Sequence, residues 1–268
     1  MQSKISSIEN FTRKNPYIFK DEIATKARAL MRELGLRILV VVESSGRISG
    51  VLWRENILAI ASSRSNLLVR DLMVEPQLVG FHGDNTLDLV IRMLDNDIWY
   101  IPVADSRSEM IYKGVFGFEF FIEKMIRDSE IISILKEVKA IDIMSKKPIY
   151  LTPNTYVSTV WKNMIKFRFS GFPVVDEKGV VVGMVTQHDL LRTSIAFQSE
   201  RGPRKGPKVS TLMSRPPITV RENDRVLDVA EILIKRNIGR VPVVDEKGIL
   251  KGIIDRSDIV REIIRILR

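Results

Sequence analysis

SGFPVVDEKGVVVGMVTQHDLLR, residues 170–192, returns 69 residues later as GRVPVVDEKGILKGIIDRSDIVR, residues 239–261. In each copy an apolar strand runs into Asp-Glu-Lys-Gly, a turn composition, and a second apolar strand leads to a polar helix start. A repeat at a fixed period decides the architecture before any other signal. Working outward, Met144 and Met213 are also 69 apart, and each stands 29 residues before the Pro of its strand (Pro173, Pro242). Met73 and Pro102 keep that interval, with two extra residues in the turn before Gly114. A weaker copy has Leu39-Val40-Val41-Val42-Glu43 in the strand position and Gly50-Val51-Leu52 in the next.

The chain therefore reads as four repeats, at about 11–60, 71–127, 141–197 and 209–268. Each predicts the order β-α-β-β-α, a mixed α/β fold. Short strands are expected at 149–151 and 218–220. The helices that follow carry apolar stripes at helical spacing: Val157, Val160, Trp161, Met164, Ile165, and Val226, Val229, Ala230, Leu233, Ile234. These stripes, Trp161 included, are read as core. About 55–60 residues bury the faces of such a sheet poorly, so the repeats are expected to pair. The expected domains are 1–132 and 133–268, one pair each.

Composition sets limits. With no cysteine, disulfides, thiolate metal sites and cysteine nucleophiles are excluded. No apolar run matches a signal peptide or a spanning helix, so a soluble, cytoplasmic protein without membrane association is expected. Residues 1–132 hold 17 Lys/Arg and 18 Asp/Glu, and residues 133–268 hold 25 and 15, so the second half carries the net positive charge. That half is the candidate for an anionic partner, and nucleic acid is one such partner. The basic Gly/Pro stretch 201–208 reads either as a solvated linker or as a nucleic-acid contact. Two histidines far apart in sequence, His82 and His188, argue against a metal centre. No nucleophile, acid–base pair or Gly-rich phosphate signature stands out, so the chain is not expected to be an enzyme.

Thr186-Gln187-His188-Asp189 follows the end of a strand. A hydroxyl there suits a phosphate, and a carboxylate three residues on suits a ribose diol. The same spacing is a capping box, worth about 0.5–2 kcal/mol to a helix with no ligand. The spacing alone leaves both readings open.

These features together resemble the cystathionine β-synthase (CBS) domain, a regulatory repeat whose copies pack in pairs called Bateman modules. The likeness covers nearly the whole chain. Four repeats with no other domain look like the γ subunit of AMP-activated protein kinase and like stand-alone archaeal CBS proteins. The resemblance implies that Thr186, His188 and Asp189 bind an adenosine-type ligand, with Ile218, Thr219, Ile238, Gly239 and Arg240 of the last repeat lining the same cleft. A second pocket is implied around Asp255, Arg256 and Asp258, lined by Tyr150, Leu151, Thr152, Ser170 and Gly171. There Asp255 replaces the hydroxyl. This points either to a ligand without an adjacent phosphate or to charge compensation by Arg256. In the second repeat Phe120 replaces the ribose-binding Asp, and in the first Asn56 stands there beside Trp53, so the N-terminal sites are expected to be eroded. The ligand classes implied are AMP, ADP, ATP, S-adenosylmethionine and methylthioadenosine. The implied role is a sensor read by a protein partner, alone or as a homodimer. A nucleic-acid binder and a scaffold with vestigial pockets remain the alternatives.

Overall fold

The computed structural model describes residues 7–58, 66–192 and 206–268. All four repeats are present. The first is β1 (Tyr17–Phe19), α1 (Ala24–Glu33), β2 (Ile38–Val42), β3 (Ile48–Trp53) and α2 (Arg54–Leu58). The second is β4 (Gly80–Phe81), α3 (Thr86–Asp95), β5 (Tyr100–Ala104), β6 (Tyr112–Gly117) and α4 (Phe118–Met125). Helices α5 (Ser129–Leu135) and α6 (Ala140–Ile143) and strand β7 (Ser145–Lys146) lead to the third. That repeat holds α7 (Val157–Phe167), β8 (Gly171–Val175), β9 (Val181–Thr186) and α8 (Gln187–Leu191). The last is β10 (Val220–Arg221), α9 (Val226–Lys235), β11 (Arg240–Val244), β12 (Leu250–Asp255) and α10 (Arg256–Leu267).

In repeats 1, 2 and 4 the first strand pairs parallel with the second across a helix, and in all four the second and third strands form an antiparallel hairpin. The Asp-Glu-Lys-Gly turns explain their composition. Asp176 Oδ1 accepts from the Lys178 and Val180 amides at 2.9 Å, and Asp245 Oδ1 does the same for Lys247 and Ile249. Gly179 and Gly248 adopt φ of 80° and 78°, a region that favours glycine.

Three expectations need adjusting. The strand expected at 149–151 is reduced to a single parallel bridge, Leu151 to Val174, because Pro148 and Pro153 frame it and lack amide donors. The strand expected at 218–220 is observed as Val220–Arg221. Ile165, assigned to the core stripe, is 55% exposed, whereas Val157, Val160, Trp161 and Met164 are buried. The basic stretch 201–208 lies outside the described residues up to 205.

The compact units are not the two halves of the chain. Unit 1 comprises residues 1–15, 76–148 and 218–268, and unit 2 comprises 16–75 and 149–217. Unit 1 thus joins the bodies of repeats 2 and 4, and unit 2 those of repeats 1 and 3. Each unit has its own apolar core. In unit 1, α4 and α10 pack together and against α9. In unit 2, α2 and α8 pack together and against α1. The charge divides unevenly: unit 2 has 19 Lys/Arg and 11 Asp/Glu, a net +8, and unit 1 has 23 and 22, a net +1.

The grouping follows from these shared helix cores, and the positions of the cuts, after residues 15, 75, 148 and 217, follow from an exchange of lead-in segments. The segment opening repeat 1 (Thr12, Arg13) docks on Gly114 and Val115 of repeat 2, with Arg13 and Val115 exchanging backbone hydrogen bonds of 2.9 and 2.8 Å. Met73 and Val74, opening repeat 2, dock on Gly50 and Val51 of repeat 1. Met144 and β7 dock on Gly252 and Ile253 of repeat 4, and Met213 and Ser214 on Gly183 and Met184 of repeat 3. One glycine per repeat makes room for the partner's segment. At Gly114 a Cβ would stand 2.5 Å from the Arg13 carbonyl oxygen, which is backbone and cannot swing aside. Gly114→Ala is therefore expected to destabilise the chain by about 1–3 kcal/mol in denaturant unfolding. A variant as stable as wild type would contradict this docking.

Candidate functional site

The expected ligand residues divide between the units. Tyr150, Leu151, Thr152, Ser170, Gly171, Thr186, His188 and Asp189 lie in unit 2, and Ile218, Thr219, Ile238, Gly239, Arg240, Asp255, Arg256 and Asp258 in unit 1.

In unit 2 the hairpin β8–β9 ends at the cross-strand pair Gly171 and Thr186. A Cβ at 171 would stand 3.0 Å from Thr186 Cγ2 and from the Val185 carbonyl oxygen, so the glycine eases a tight approach opposite the threonine. Thr186 caps α8. Its amide and hydroxyl donate to Asp189 Oδ2 at 2.8 and 2.7 Å. The other carboxylate oxygen, Oδ1, accepts from the Ser214 hydroxyl at 3.3 Å. Asp189 is 8% exposed. The capping box anticipated from the spacing is thus formed, and a third group, Ser214, joins it from the lead-in segment of repeat 4. Sequence reasoning missed Ser214. The 69-residue period offered a pointer, because Ser145 follows Met144 as Ser214 follows Met213.

His188 is half-buried on α8. Its Nδ1 is buried with no hydrogen-bond partner among the described residues. Burial, then the nearby Arg54, and further Arg192 and Arg37 hold the imidazole below its usual range, against the pull of Asp189. Arg54 is itself buried and donates to the Leu36 and Gly35 carbonyls at 2.8 and 2.5 Å. Ser170 accepts from the Gln187 amide through its carbonyl, at 2.9 Å. Leu151 is buried, Tyr150 is 55% exposed, and Thr152 is turned into a local bond with Thr155. In repeat 1, Asn56 accepts from the Trp53 amide at 2.8 Å, so the capping role survives where the carboxylate does not.

In unit 1 the equivalent cross-strand pair is Arg240 and Asp255. Asp255 caps α10 by accepting from the Ser257 amide at 2.8 Å and its hydroxyl at 2.6 Å, and Asp258 Oδ2 accepts from the Asp255 amide at 2.8 Å. Two carboxylates thus share one helix end. Burial first and Asp255 second push Asp258 up to about 7, against the opposing pull of that amide, Arg261 and Arg240. Arg240 is held below its ordinary range by burial, with Asp255, Asp258 and Asp97 acting the other way. Its guanidinium carbon lies 5.8 Å from the centre of the Trp99 ring, which also neighbours Gly239. Ile218 is exposed, and Thr219 and Ile238 are half-buried.

Arg256 departs from expectation. The reading that it offsets the charge of Asp255 meets a guanidinium that is 1% exposed and committed to repeat 2. It pairs with Glu119, donates to the Tyr100 hydroxyl at 2.7 Å and reaches Asn237 Oδ1 at 3.3 Å. Burial with these partners removes it from the surface a ligand would touch. Phe116, Phe118 and Phe121 lie in the apolar core, and Phe120 is buried under the Arg13 guanidinium at 4.6 Å. Among the described residues no group of His, Asp and Glu could hold a metal ion, and no helix is long and apolar enough to cross a membrane.

Comparison with known proteins bears on the family and the fold. The CBS domain family model matches residues 138–196 and 209–265. The uncharacterized protein MJ1404 of Methanocaldococcus jannaschii is 31% identical over 254 residues, covering 91% of this chain but 58% of its own length. The chain therefore spans less than two thirds of that relative. A CBS domain-containing protein of Dictyostelium discoideum is 30% identical over 131 residues, 47% of this chain and 90% of that protein. The crystal structure of MJ1225 from Methanocaldococcus jannaschii superposes with a TM-score of 0.82 at 21% identity, covering 96% of this chain and 99% of that one, and so shares the fold. On the repeats, the strand-end sites and these matches, the chain belongs to the CBS domain family.

Proposed function

We propose that the protein is a regulatory sensor of adenosine-type ligands, and that its ligand residues are the two strand-end groups around Asp189 and Asp258. The observation that carries this reading is the Thr186–Asp189–Ser214 cluster. It keeps in full the Ser/Thr-x-x-Asp pattern with which CBS domains hold the phosphate and ribose of adenosine derivatives. Its carboxylate is desolvated and aimed by Thr186, and its longest bond, from Ser214 at 3.3 Å, is the one a ribose hydroxyl would replace. A phosphorylated ligand of the AMP, ADP or ATP type suits this group, where Thr186 supplies a hydroxyl and His188 an imidazole. The Asp255–Asp258 group suits an adenosine without an adjacent phosphate, such as S-adenosylmethionine or methylthioadenosine, because the carboxylate of Asp255 stands in place of the phosphate-binding hydroxyl. For a partner protein to read occupancy, the ligand must bind two arrangements of the repeats unequally.

Asp189→Asn tests the reading without disturbing the cap, because Asn56 already fills the same capping role in repeat 1. A hydrogen bond to a charged group contributes about 1.5–3 kcal/mol, so calorimetry with AMP, ADP and ATP should show roughly 10- to 100-fold weaker binding. Undiminished binding by the variant would remove Asp189 from the site. No heat or melting shift with any adenosine compound, including S-adenosylmethionine and methylthioadenosine, would leave the scaffold reading in its place.

A further inference from the structure

Repeat 2 has lost its own ligand pattern, and the structure shows what the altered positions do instead. Its cross-strand pair at the strand end is Tyr100 and Gly117, the counterpart of Arg240 and Asp255. The Tyr100 ring lies directly over Gly117: a Cβ there would stand 2.5 Å from Tyr100 Cδ1. Neither a threonine nor an aspartate fits that position while the ring is in place. The ring directs its hydroxyl to Glu119, which stands where repeat 3 has His188, and both groups converge on Arg256. The preceding residue, Trp99, lies under Arg240 and is itself fixed by donating from Nε1 to Asp97 Oδ1 at 3.2 Å. Three adjacent groups of repeat 2 therefore govern both arginines that flank the Asp255–Asp258 pair in sequence and on the strand.

We propose that repeat 2 is a positioning element that sets the charge selectivity of the Asp255–Asp258 group. Tyr100 and Glu119 commit Arg256 to the helix interface, and Trp99 holds Arg240 beside the carboxylates. The group is thereby left with Arg240 and Arg261 but without the guanidinium of Arg256, one cation fewer for a 5′-phosphate, and favours an adenosine ligand whose 5′ substituent is neutral or cationic. This rests on the reading of that group as a ligand site. Glu119→Gln keeps the size of the side chain and removes the charge that holds Arg256, leaving the Tyr100 hydroxyl and Asn237 among its partners, so the guanidinium is held less tightly away from the carboxylates.

The experiment uses the full chain carrying Asp189→Asn, so that the other group is weakened, and titrates it with S-adenosylmethionine and with AMP by calorimetry. Binding of S-adenosylmethionine in preference to AMP is expected, with loss of that binding on adding Asp258→Asn. Adding Glu119→Gln should shift the affinity ratio toward AMP by roughly tenfold or more. An unshifted ratio overturns the proposal. If neither compound binds the Asp189→Asn chain, the ligand reading of this group fails, and the positioning claim is decided by NMR titration of the Asp258 carboxyl, which faces Asp255, Arg240 and Arg261. A released Arg256 lowers that midpoint by about one unit; an unchanged midpoint in both Glu119→Gln and the milder Tyr100→Phe, each shown folded by circular dichroism, overturns it.

Discussion

Replacing Arg256 with alanine is expected to destabilise unit 1 by about 3–5 kcal/mol, among the largest effects of any single substitution in this chain. The guanidinium is the most deeply buried charge described, and its removal strands Glu119 and the Tyr100 hydroxyl with one partner fewer. Glu119 retains some water access, at 18% side-chain exposure, so the cost belongs toward the lower end of that range. The signature is non-additivity. Glu119→Gln should be costly alone but nearly free on the Arg256→Ala background, since each removes the same pair. Thermal unfolding followed by calorimetry, with hydrogen exchange to show that the loss falls on α4 and α10, measures both. Additive losses would mean that the two side chains do not act on one another.

The second large effect concerns pH. Asp258 titrates at about 7 in the folded chain, because burial and Asp255 disfavour its charge, against about 3.9 when unfolded. Between these values the native state binds the extra proton, so stability falls as pH rises. The cost is absent below about pH 4 and complete above about pH 7. Asp258→Asn removes the charge but keeps an oxygen to accept from the Asp255 amide. At about 1.4 kcal/mol per unit, the variant should be more stable than wild type by about 2–4 kcal/mol at pH 8 and level with it at pH 4. Denaturant titrations across that range test the sign. A gap independent of pH would show that Asp258 is charged at neutrality. If the same residue serves a ligand, its replacement shows a familiar conflict: a carboxylate kept at a cost to folding because binding needs it.

Much of this was legible in the chain. The period located all four repeats, and the turn chemistry of Asp176 and Gly179 needed only local rules. Thr186 and Asp189 were readable because both members of the group lie on one turn. Ser214 was harder to read: the period pairs it with Ser145, but nothing local says that it reaches Asp189 from 25 positions away. The clamp on Arg256 was further out of reach: Tyr100 and Glu119 lie 156 and 137 positions away, and no periodicity relates an arginine to a tyrosine in another repeat. Phe120 marked where repeat 2 departs from the Ser/Thr-x-x-Asp pattern, but a missing residue does not spell out what its neighbours do instead. The division into units was hidden for a similar reason. Sequence likeness groups the strongest copies, 3 and 4, whereas the helix faces of repeats 2 and 4 share one core and those of 1 and 3 the other.

The exchanged lead-in segments also impose an order on synthesis. Unit 2 has received all of its chain once Pro217 has been made, whereas unit 1 joins Ile8 to Ile263 and Ile264 in one core. A ribosome adds about 5–20 residues per second. The Ile8 segment and the helix that completes its core are therefore made on the order of ten seconds or more apart. Glu119 and Tyr100 are made 137 and 156 positions before Arg256, so the clamp is synthesised well ahead of the arginine it holds.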